Sequence, residues 1–311
     1  MNLRALIFAA LFLASPLAFA PRARAFQVGT TDFSKLELKT IALRANVTEF
    51  DLRTPQDREN IVVLSGADGY LLVDHPEPAS HPAIQQALDA LGKKPVRFLI
   101  NTHWHYDHVG GNEIYGPESV IIAQENVRAR LSTPQKPFWS PVVIGPYPER
   151  AWPAITYRDT MALHFAGEDI ELDHYGPSHT DGDSIVYLAR ANMVLMGDVY
   201  IGKGRLPVNL DMDGEAATLH AVLARINDAT IVISGHGDNS GRRDMAEMSA
   251  LLDDTLPYVR RQIAAGKSSE EVQAAGLPGQ WASWGGAAAQ PEIREFLKTI
   301  YLSCTAKPQN Q

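Results

Sequence analysis

Cysteine is almost absent from this chain, since Cys304 is the only one among 311 residues. A single cysteine cannot form a disulfide within the chain, so the fold must depend on its buried core and on any metal ion that it binds. A metal site rich in thiolates is excluded for the same reason. We therefore expect any metal ligands to be nitrogen and oxygen atoms.

Positive charge is also scarce relative to negative charge. The chain has 28 Lys and Arg residues against 36 Asp and Glu residues, which gives a formal net charge of −8 at pH 7. Proteins that bind nucleic acid need a basic surface to neutralise phosphates, so this balance argues against a nucleic-acid partner. We expect a small-molecule substrate instead, and the sequence leaves the oligomeric state open.

The N-terminus has an apolar run that is too short to cross a bilayer. Arg4 is followed by apolar residues over 5–13 and then by small residues, a pattern typical of a secretory signal peptide. A membrane-spanning helix needs roughly 20 apolar residues. The A-x-A sequence that ends at Ala25 predicts cleavage there. Removal of residues 1–25 would leave a periplasmic or secreted protein without a stable membrane span.

Two stretches near the start of the mature chain predict a sheet. Residues 38–53 and 60–74 alternate apolar and polar groups, with glycine-containing turns, as antiparallel strands do. A helix is predicted from His81, and the buried strand VRFLINTH follows it. Strands then resume at Met161 and lead to a further helix and to the strand TIVISGHG.

This order of strands, helix and strand occurs in both halves of the chain. Two similar halves, each a sheet covered by helices, predict an α/β fold built as a four-layer αββα sandwich. We expect residues 26–311 to form a single domain. Within it, residues 241–311 are expected to be a mostly helical C-terminal extension.

The segment NTHWHYDHVGGN, residues 101–112, contains three histidines and an aspartate within six positions. His103 and His105 are two residues apart on an extended stretch, so their side chains lean to the same face. Asp107 and His108 follow where the chain turns. Four potential ligands from one loop can start two neighbouring metal sites but cannot complete either, so further ligands must come from elsewhere.

Three later residues fit that requirement. Each is polar, lies at or just after the end of a predicted strand, and is close to glycine in the sequence, which permits close approach of the backbone. They are His179 in GPSHTDGD, Asp198 in VLMGD and His236 in TIVISGHG.

The motif H-x-H-x-D-H, followed by His, Asp and His at these strand ends, resembles the metallo-β-lactamase superfamily over roughly residues 38–240. The resemblance implies that Asp198 bridges two metal ions and that Asp74, at the end of GYLLVD, supports the metal-binding loop through a hydrogen bond. It implies two sets of ligands: His103, His105 and His179 for the first ion, and Asp107, His108 and His236 for the second.

The zinc β-lactamases known as resistance enzymes carry cysteine at the position of Asp198, so this chain differs from them there. Aspartate there resembles the glyoxalase II branch and the broader hydrolases of the superfamily. Only about 70 residues follow His236, so the chain lacks the long helical domain with which glyoxalase II holds glutathione. Aspartate in place of cysteine makes β-lactamase activity a weaker prediction, and it leaves the predicted fold unchanged.

Nitrogen and oxygen ligands favour zinc, and we expect two zinc ions per chain, although iron or manganese also suit this ligand set. Two ions that share a water molecule would lower its pKa and polarise a carbonyl oxygen, so hydrolysis is the expected chemistry. The candidate substrates are an ester, lactone, thioester or amide, with a β-lactam as one such amide. Asp107 is the expected catalytic residue, which orients the attacking water or passes a proton to the leaving group.

Two alternative functions stay open at this point. A mononuclear iron enzyme similar to sulfur dioxygenases would use the same fold for oxidation. A non-catalytic, metal-binding accessory protein of the periplasm would keep the ligands without turnover.

Candidate substrate contacts come from two loops. Residues 133–153 are rich in proline and aromatic residues and are interpreted as an irregular loop, either a packed crossover or a lid that brings Trp139 to the substrate. Lys203 and Arg205 follow Asp198 closely and are candidates for contact with an anionic group of the substrate, or else lie on a solvated loop.

Overall fold

The structure is a computed structural model that describes residues 31–55, 57–136, 143–209 and 211–306. The predicted signal peptide with its cleavage after Ala25, and the candidate substrate contact Trp139, lie outside these ranges. Within them, no helix combines the length and the apolar character that a membrane span requires.

The first half of the chain forms a seven-stranded sheet whose strands lie side by side in sequence order. The first four strands pair antiparallel and the later ones pair in parallel. This confirms the antiparallel strands predicted for residues 38–53 and 60–74. The strands are β1 (Glu37–Arg44), β2 (Val47–Arg53), β3 (Arg58–Ser65), β4 (Tyr70–Val73), β5 (Val96–Ile100), β6 (Val120–Gln124) and β7 (Ile155–Tyr157).

The second half forms a six-stranded sheet in the spatial order β13-β12-β11-β10-β9-β8. Its neighbours pair antiparallel except β11 and β12, which pair in parallel. Asn192, in the turn between β10 and β11, has a positive φ of 52°. The strands are β8 (Thr160–Phe165), β9 (Glu168–Asp173), β10 (Ile185–Leu188), β11 (Met193–Leu195), β12 (Ile231–Ile233) and β13 (Ser240–Gly241).

Eight α-helices occur in the described residues. Capping residues mark the starts of two of them. Asp211 accepts hydrogen bonds from the backbone at the start of the fifth helix, and Ser268 forms a capping box with Glu271 at the start of the seventh. The helices are α1 (His81–Leu91), α2 (Tyr106–Val109), α3 (Asn112–Tyr115), α4 (Glu125–Leu131), α5 (Met212–Arg225), α6 (Arg242–Ala264), α7 (Ser269–Ala275) and α8 (Gln290–Thr305). Short 3₁₀ segments lie at Phe33–Lys35, Pro78–Ser80, Glu149–Ala151, Gly279–Trp281 and Ala287–Ala289.

Alternation along the strands sorts their side chains into separate apolar layers. On β4, Leu71 and Val73 belong to the core between the two sheets, whereas Tyr70 and Leu72 pack with α1 on the outer face. The outer face of the second sheet is covered by α5, α6 and α8. The order helix, sheet, sheet, helix confirms the predicted four-layer αββα sandwich.

Helices α6 to α8 account for most of the last 70 residues. Phe296 and Leu297 of α8 are fully buried in the same apolar cluster as Val194 of β11. Residues 242–305 therefore complete the second helical layer. The grouping of residues 26–311 into one domain stays a prediction.

The parallel strands place the polar residues that follow them at one edge of the sandwich. Val73 pairs with Ile100, and Leu195 pairs with Ile233, so the carboxyl ends of β4 and β5, and those of β11 and β12, lie together. Two backbone hydrogen bonds join the sheets at this edge, from Asn60 to Gly235 at 2.8 Å and from Ser184 to Thr102 at 2.7 Å.

Candidate metal centre

The histidine-rich segment leaves β5 as a short bend and continues into the one-turn helix α2. Asp107 and His108 lie on this helix and His103 and His105 precede it. The glycine pair that follows is required by close packing. A Cβ atom on Gly110 would lie 2.3 Å from the carbonyl oxygen of Pro76, and one on Gly111 would lie 2.3 Å from Cγ of His75. Any larger residue would displace the segment.

The first group of ligand atoms comes from four residues in three separate parts of the sequence. His103, His105, His179 and Asp198 each offer one atom, and these atoms lie within 4.8 Å of one another. Nδ1 of His105 lies 3.1 Å from Nε2 of His103 and 2.9 Å from Nε2 of His179. Ligands at about 2.0–2.1 Å in a tetrahedron around zinc lie about 3.3 Å apart, so these separations approach that arrangement.

The second group consists of Asp107, His108 and His236, whose ligand atoms also lie within 4.8 Å of one another. Nε2 of His108 and Nε2 of His236 are 3.4 Å apart. Oδ2 of Asp107 lies 3.5 Å from Nε2 of His236.

Asp198 lies between the two groups. Its Oδ2 is 3.6 Å from Nε2 of His179 in the first group and 3.2 Å from Nε2 of His236 in the second. Its Oδ1 is buried and lies 3.4 Å from Nε2 of His108 in the second group, without a hydrogen bond in the described part of the chain. One carboxylate is thus within reach of ligand atoms from both sets.

This arrangement fits a bound cation better than a hydrogen-bonded cluster. Nδ1 of His105 faces two other ring nitrogens, and a single proton between nitrogens satisfies only one such contact. A cation accepts all of these lone pairs at once. The buried oxygen of Asp198 that lacks a partner supports the same interpretation, because an unpaired buried carboxylate oxygen is costly.

The opposite ring nitrogens are held by acceptors from the surrounding structure. Nδ1 of His108 donates to Asp74 at 2.9 Å, and that carboxylate also accepts from the backbone N–H and the hydroxyl of Thr102. Nδ1 of His236 donates to the carbonyl of Arg58 at 2.8 Å. Such contacts fix the ring orientation and leave Nε2 free for a metal ion.

His179 is held through two further residues that the sequence analysis did not identify. Its Nδ1 donates to Oδ1 of Asn209 at 2.7 Å, and Nδ2 of Asn209 donates to Oε2 of Glu215 at 2.5 Å. Glu215 is fully buried on α5. No motif marks these residues, because Asn209 lies in the loop after β11 and Glu215 on a helix that shows no special pattern at this position.

The five histidines differ in the direction of their pKa shifts, which are downward for three of them and upward for two. Burial, with His179 as the nearest imidazole, lowers the pKa of His105 to about 3, and burial also lowers the pKa of His103 and His179. Burial opposes protonation of His108 and His236 too, but the nearby carboxylates, above all Asp198, outweigh it and raise both pKa values. A location that stabilises a proton between imidazole and carboxylate also stabilises a metal cation.

A cleft of about 330 Å³ opens onto both groups. Its walls include His179, Asp198 and His236 and, on the loop after β11, the exposed side chain of Arg205. Asp107 also lines the cleft, next to the space above the ligand atoms.

The structure brings together all seven predicted ligands and Asp74 but does not bring Lys203 to the cleft. Lys203 forms an ion pair with Asp244 at 2.8 Å and lines a separate cavity of about 80 Å³. Arg205, two residues later, is the basic residue of this loop that lines the cleft. His75 is buried away from it, with its ring against His81 and Tyr115.

Comparison with protein families and solved structures identifies the family and the fold. Residues 54–236 match the family model of the metallo-beta-lactamase superfamily. A metallo-beta-lactamase from Pontibacter korlensis superposes with a TM-score of 0.58 at 16% identity, over 70% of this chain and 100% of that one. The sec-alkylsulfatase Pisa1 from Pseudomonas sp. gives a TM-score of 0.64 at 15% identity, over 85% of this chain and 50% of that one. At these identities the similarity shows the fold alone.

A curated relative is similar in sequence over a shorter region. The 2,4-dinitroanisole O-demethylase subunit alpha of Nocardioides sp. (strain JS1661) is 28% identical over 144 residues, which are 44% of this chain and 40% of that protein. The match therefore spans less than half the length of this relative.

Proposed function

The chain belongs to the metallo-beta-lactamase superfamily, and from that premise we propose that it is an exported hydrolase that uses two zinc ions. His103, His105 and His179 would hold the first ion and Asp107, His108 and His236 the second, with Asp198 shared. When bound, such ions supply Lewis acidity and a water molecule of lowered pKa. Export rests on the signal-peptide pattern of residues 1–25.

One observation carries the proposal: Asp198 lies within 3.6 Å of ligand nitrogens from both groups. A single structural metal site needs one set of four ligands and no shared carboxylate. Two adjacent sets that open onto a cleft of about 330 Å³ match a site that takes a substrate.

Asp107 and Arg205 would act on the reactants from the protein side. Asp107 faces the cleft with its side chain 16% exposed, so its carboxylate can hold an attacking water by a hydrogen bond and accept its proton. Arg205 presents a guanidinium group at the wall of the same cleft. It would bind a carboxylate or another anionic group of the substrate and so place the scissile bond near Asp107.

A substrate panel tests this function on the purified full chain. The panel contains an ester, a lactone, a thioester and a β-lactam, each with and without a carboxylate. An alkyl sulfate and 2,4-dinitroanisole are added because similar proteins carry those names. We expect turnover of at least one carbonyl substrate, its loss with a chelator and its return with zinc. No turnover of any member by zinc-loaded protein would overturn the proposal.

Two variants distinguish a loss of catalysis from a general effect of substitution on the protein. Asp107→Asn should lower kcat by about a hundredfold or more, the range expected for loss of a group that transfers a proton. The matched control is Asp228→Asn, because the Asp228 side chain is 97% exposed and lies opposite Arg242, outside the ligand groups. Equal loss in both variants would contradict the role of Asp107.

A further inference from the structure

A third group of potential ligands lies beside the two already described. Asp57, Glu59 and Asp107 each place a carboxylate oxygen so that the three atoms lie within 4.8 Å of one another. Asp57 precedes β3, Glu59 lies on it, and Asp107 lies on α2. The group therefore forms where the first sheet meets the histidine-rich segment.

Glu59 is the unusual member of this group. The residue is 8% exposed, and its Oε2 is buried without a hydrogen-bond partner in the ranges that the structure describes. A buried carboxyl oxygen that lacks a donor costs free energy unless a proton or a cation compensates it.

Basic side chains near this group do not bond to the buried oxygen of Glu59. Arg58, between the two acidic residues in the sequence, donates to Asp51 at 2.7 Å and also pairs with Asp238. Nδ1 of His236 approaches Asp57 to 3.3 Å but donates to the carbonyl of Arg58.

Repulsion among the three carboxylates is large enough to need compensation. Ionised carboxylates whose oxygens lie within 4.8 Å of one another repel, and burial strengthens this repulsion because it lowers the effective dielectric constant. A proton or a cation shared by the three groups relieves this repulsion. The spacing also suits a specific class of ion, since oxygens that bind one calcium ion at 2.3–2.6 Å lie at most about 5 Å apart.

We propose that Asp57, Glu59 and Asp107 form a third cation site, which takes a hard divalent ion of the calcium class. Ligands that are all carboxylates favour calcium, magnesium or manganese over zinc, whereas the imidazole-rich groups favour zinc. The Asp57 side chain is 36% exposed and lines the cleft, so an ion can enter from solvent. Asp107 is shared with the second ligand group, whereas Asp57 and Glu59 belong to this group alone.

Equilibrium dialysis with calcium alone tests this site on the full chain loaded with zinc. Calcium and zinc per chain are both counted by mass spectrometry. We expect one calcium ion per chain in the unaltered protein, in addition to its zinc. Glu59→Gln should weaken calcium binding by about tenfold or more, because calcium affinity follows the number of charged ligands. Its zinc content should stay unchanged.

Glu77→Gln is the matched control. Glu77 is also buried, at 7% exposure, and is also close enough to Asp107 for the charge of Asp107 to raise its pKa, but it lies outside the three-oxygen group. This variant should keep calcium. The Asp57→Asn variant is a second test of the site. Because the Asp57 side chain is partly exposed, this variant changes no buried residue, and it should lose calcium as Glu59→Gln does.

Three outcomes would overturn the proposal. They are no calcium above the protein-free buffer at millimolar concentration, equal calcium binding by Glu59→Gln and the unaltered protein, or equal loss in Glu77→Gln and Glu59→Gln. The first result would indicate that a shared proton compensates the carboxylates. Zinc counts are read in the same samples, so failure of the zinc centre is recognised separately.

Discussion

Oδ2 of Asp74 lies 2.9 Å from Nδ1 of His108, a residue 34 positions later in the chain. The same carboxylate accepts two hydrogen bonds from Thr102, which precedes the first histidine of the metal-binding segment. Asp74 adopts a positive φ of 64° at the end of β4, a strained conformation for a residue other than glycine. One side chain thus joins the end of β4 to the segment that follows β5.

The variant Asp74→Asn should weaken metal binding by the second group. An amide has only one acceptor oxygen, so it cannot receive all three donors, which are the backbone N–H and the hydroxyl of Thr102 and Nδ1 of His108. An N–H group of the amide then faces at least one of these donors, which disturbs the contact that orients the ring of His108. We expect a loss of about 10–100-fold in zinc affinity, measured by competition with a chelator. Asp68→Asn, at an 81% exposed side chain, is the control and should bind zinc as the unaltered protein does.

Removal of Asp198 should affect both groups, whereas removal of His179 should affect one. Asp198→Ala takes away the carboxylate that both sets share, and His179→Ala takes away a ligand of the first set alone. We expect His179→Ala to lose one zinc ion per chain and Asp198→Ala to lose more, by metal analysis after dialysis. The exposed His164→Ala serves as control. A loss in Asp198→Ala no greater than in His179→Ala would contradict the bridging position.

Asn209 should control zinc affinity through the ring of His179. Asn209→Ala removes the acceptor of Nδ1, so we expect about a tenfold loss in zinc affinity without loss of secondary structure by circular dichroism. Glu215→Gln should be tolerated, because burial raises the pKa of Glu215 well above its usual value and a glutamine keeps the shape of the protonated side chain. A strong loss of zinc affinity in Glu215→Gln, with no loss in Asn209→Ala, would contradict the role given to Asn209.

Glu77 should make the stability of the metal-free protein depend on pH. Burial raises the pKa of Glu77 from 4.5 to about 7, so the folded state holds this proton more tightly than the unfolded state does. Stability is therefore lost as pH rises from 4.5 to 7, by about 3 kcal/mol at 1.36 kcal/mol per pH unit. Urea unfolding at several pH values should show this slope in the difference between the unaltered protein and Glu77→Gln. A constant difference between the two would contradict it.

Phe296 should stabilise the fold without touching the metal centre. Its side chain is fully buried on α8 in the core under the second sheet. Phe296→Ala should lower the free energy of unfolding by about 3–5 kcal/mol, through lost burial and the cavity left behind. Zinc content of the folded protein should not change. Leu302→Ala on the same helix, at 50% exposure, should have little effect on either quantity.

The sequence identified the parts of the site that follow a local pattern. His103, His105, Asp107 and His108 lie in one short segment, and His179, Asp198 and His236 each lie near a strand end beside glycine or turn residues. Strand ends of a sheet with parallel pairs meet at one edge, so alternation and glycine positions were sufficient to expect that these residues come close together.

The residues that the sequence did not identify belong to contacts between elements. Asn209 and Glu215 support His179 from a loop and from α5, and Glu59 approaches Asp107 from β3. Asparagine and glutamate at such positions are ordinary in surface loops, helices and strands. Their burial beside the metal centre appears only when the layers are packed.

Lys203 and Arg205 also make contacts that the sequence pattern did not predict. Both are basic and lie within two residues of each other, yet Lys203 pairs with Asp244 and Arg205 lines the cleft. The direction of a loop side chain depends on the course of the backbone and on its partners, and periodicity does not specify either in an irregular segment.

The amino-acid sequence therefore predicted the layer architecture, which is confirmed, because hydrophobic periodicity acts locally along the chain. Polar residues at strand ends, together with the resemblance to the metallo-β-lactamase superfamily, predicted seven ligands, which the fold brings together and whose metal binding stays a prediction. The packing of the two sheets decided which carboxylates, amides and cations meet around those ligands. That outcome depends on contacts between residues far apart in the chain, such as His236 and the carbonyl of Arg58, which are 178 positions apart, and a linear pattern does not encode such distances.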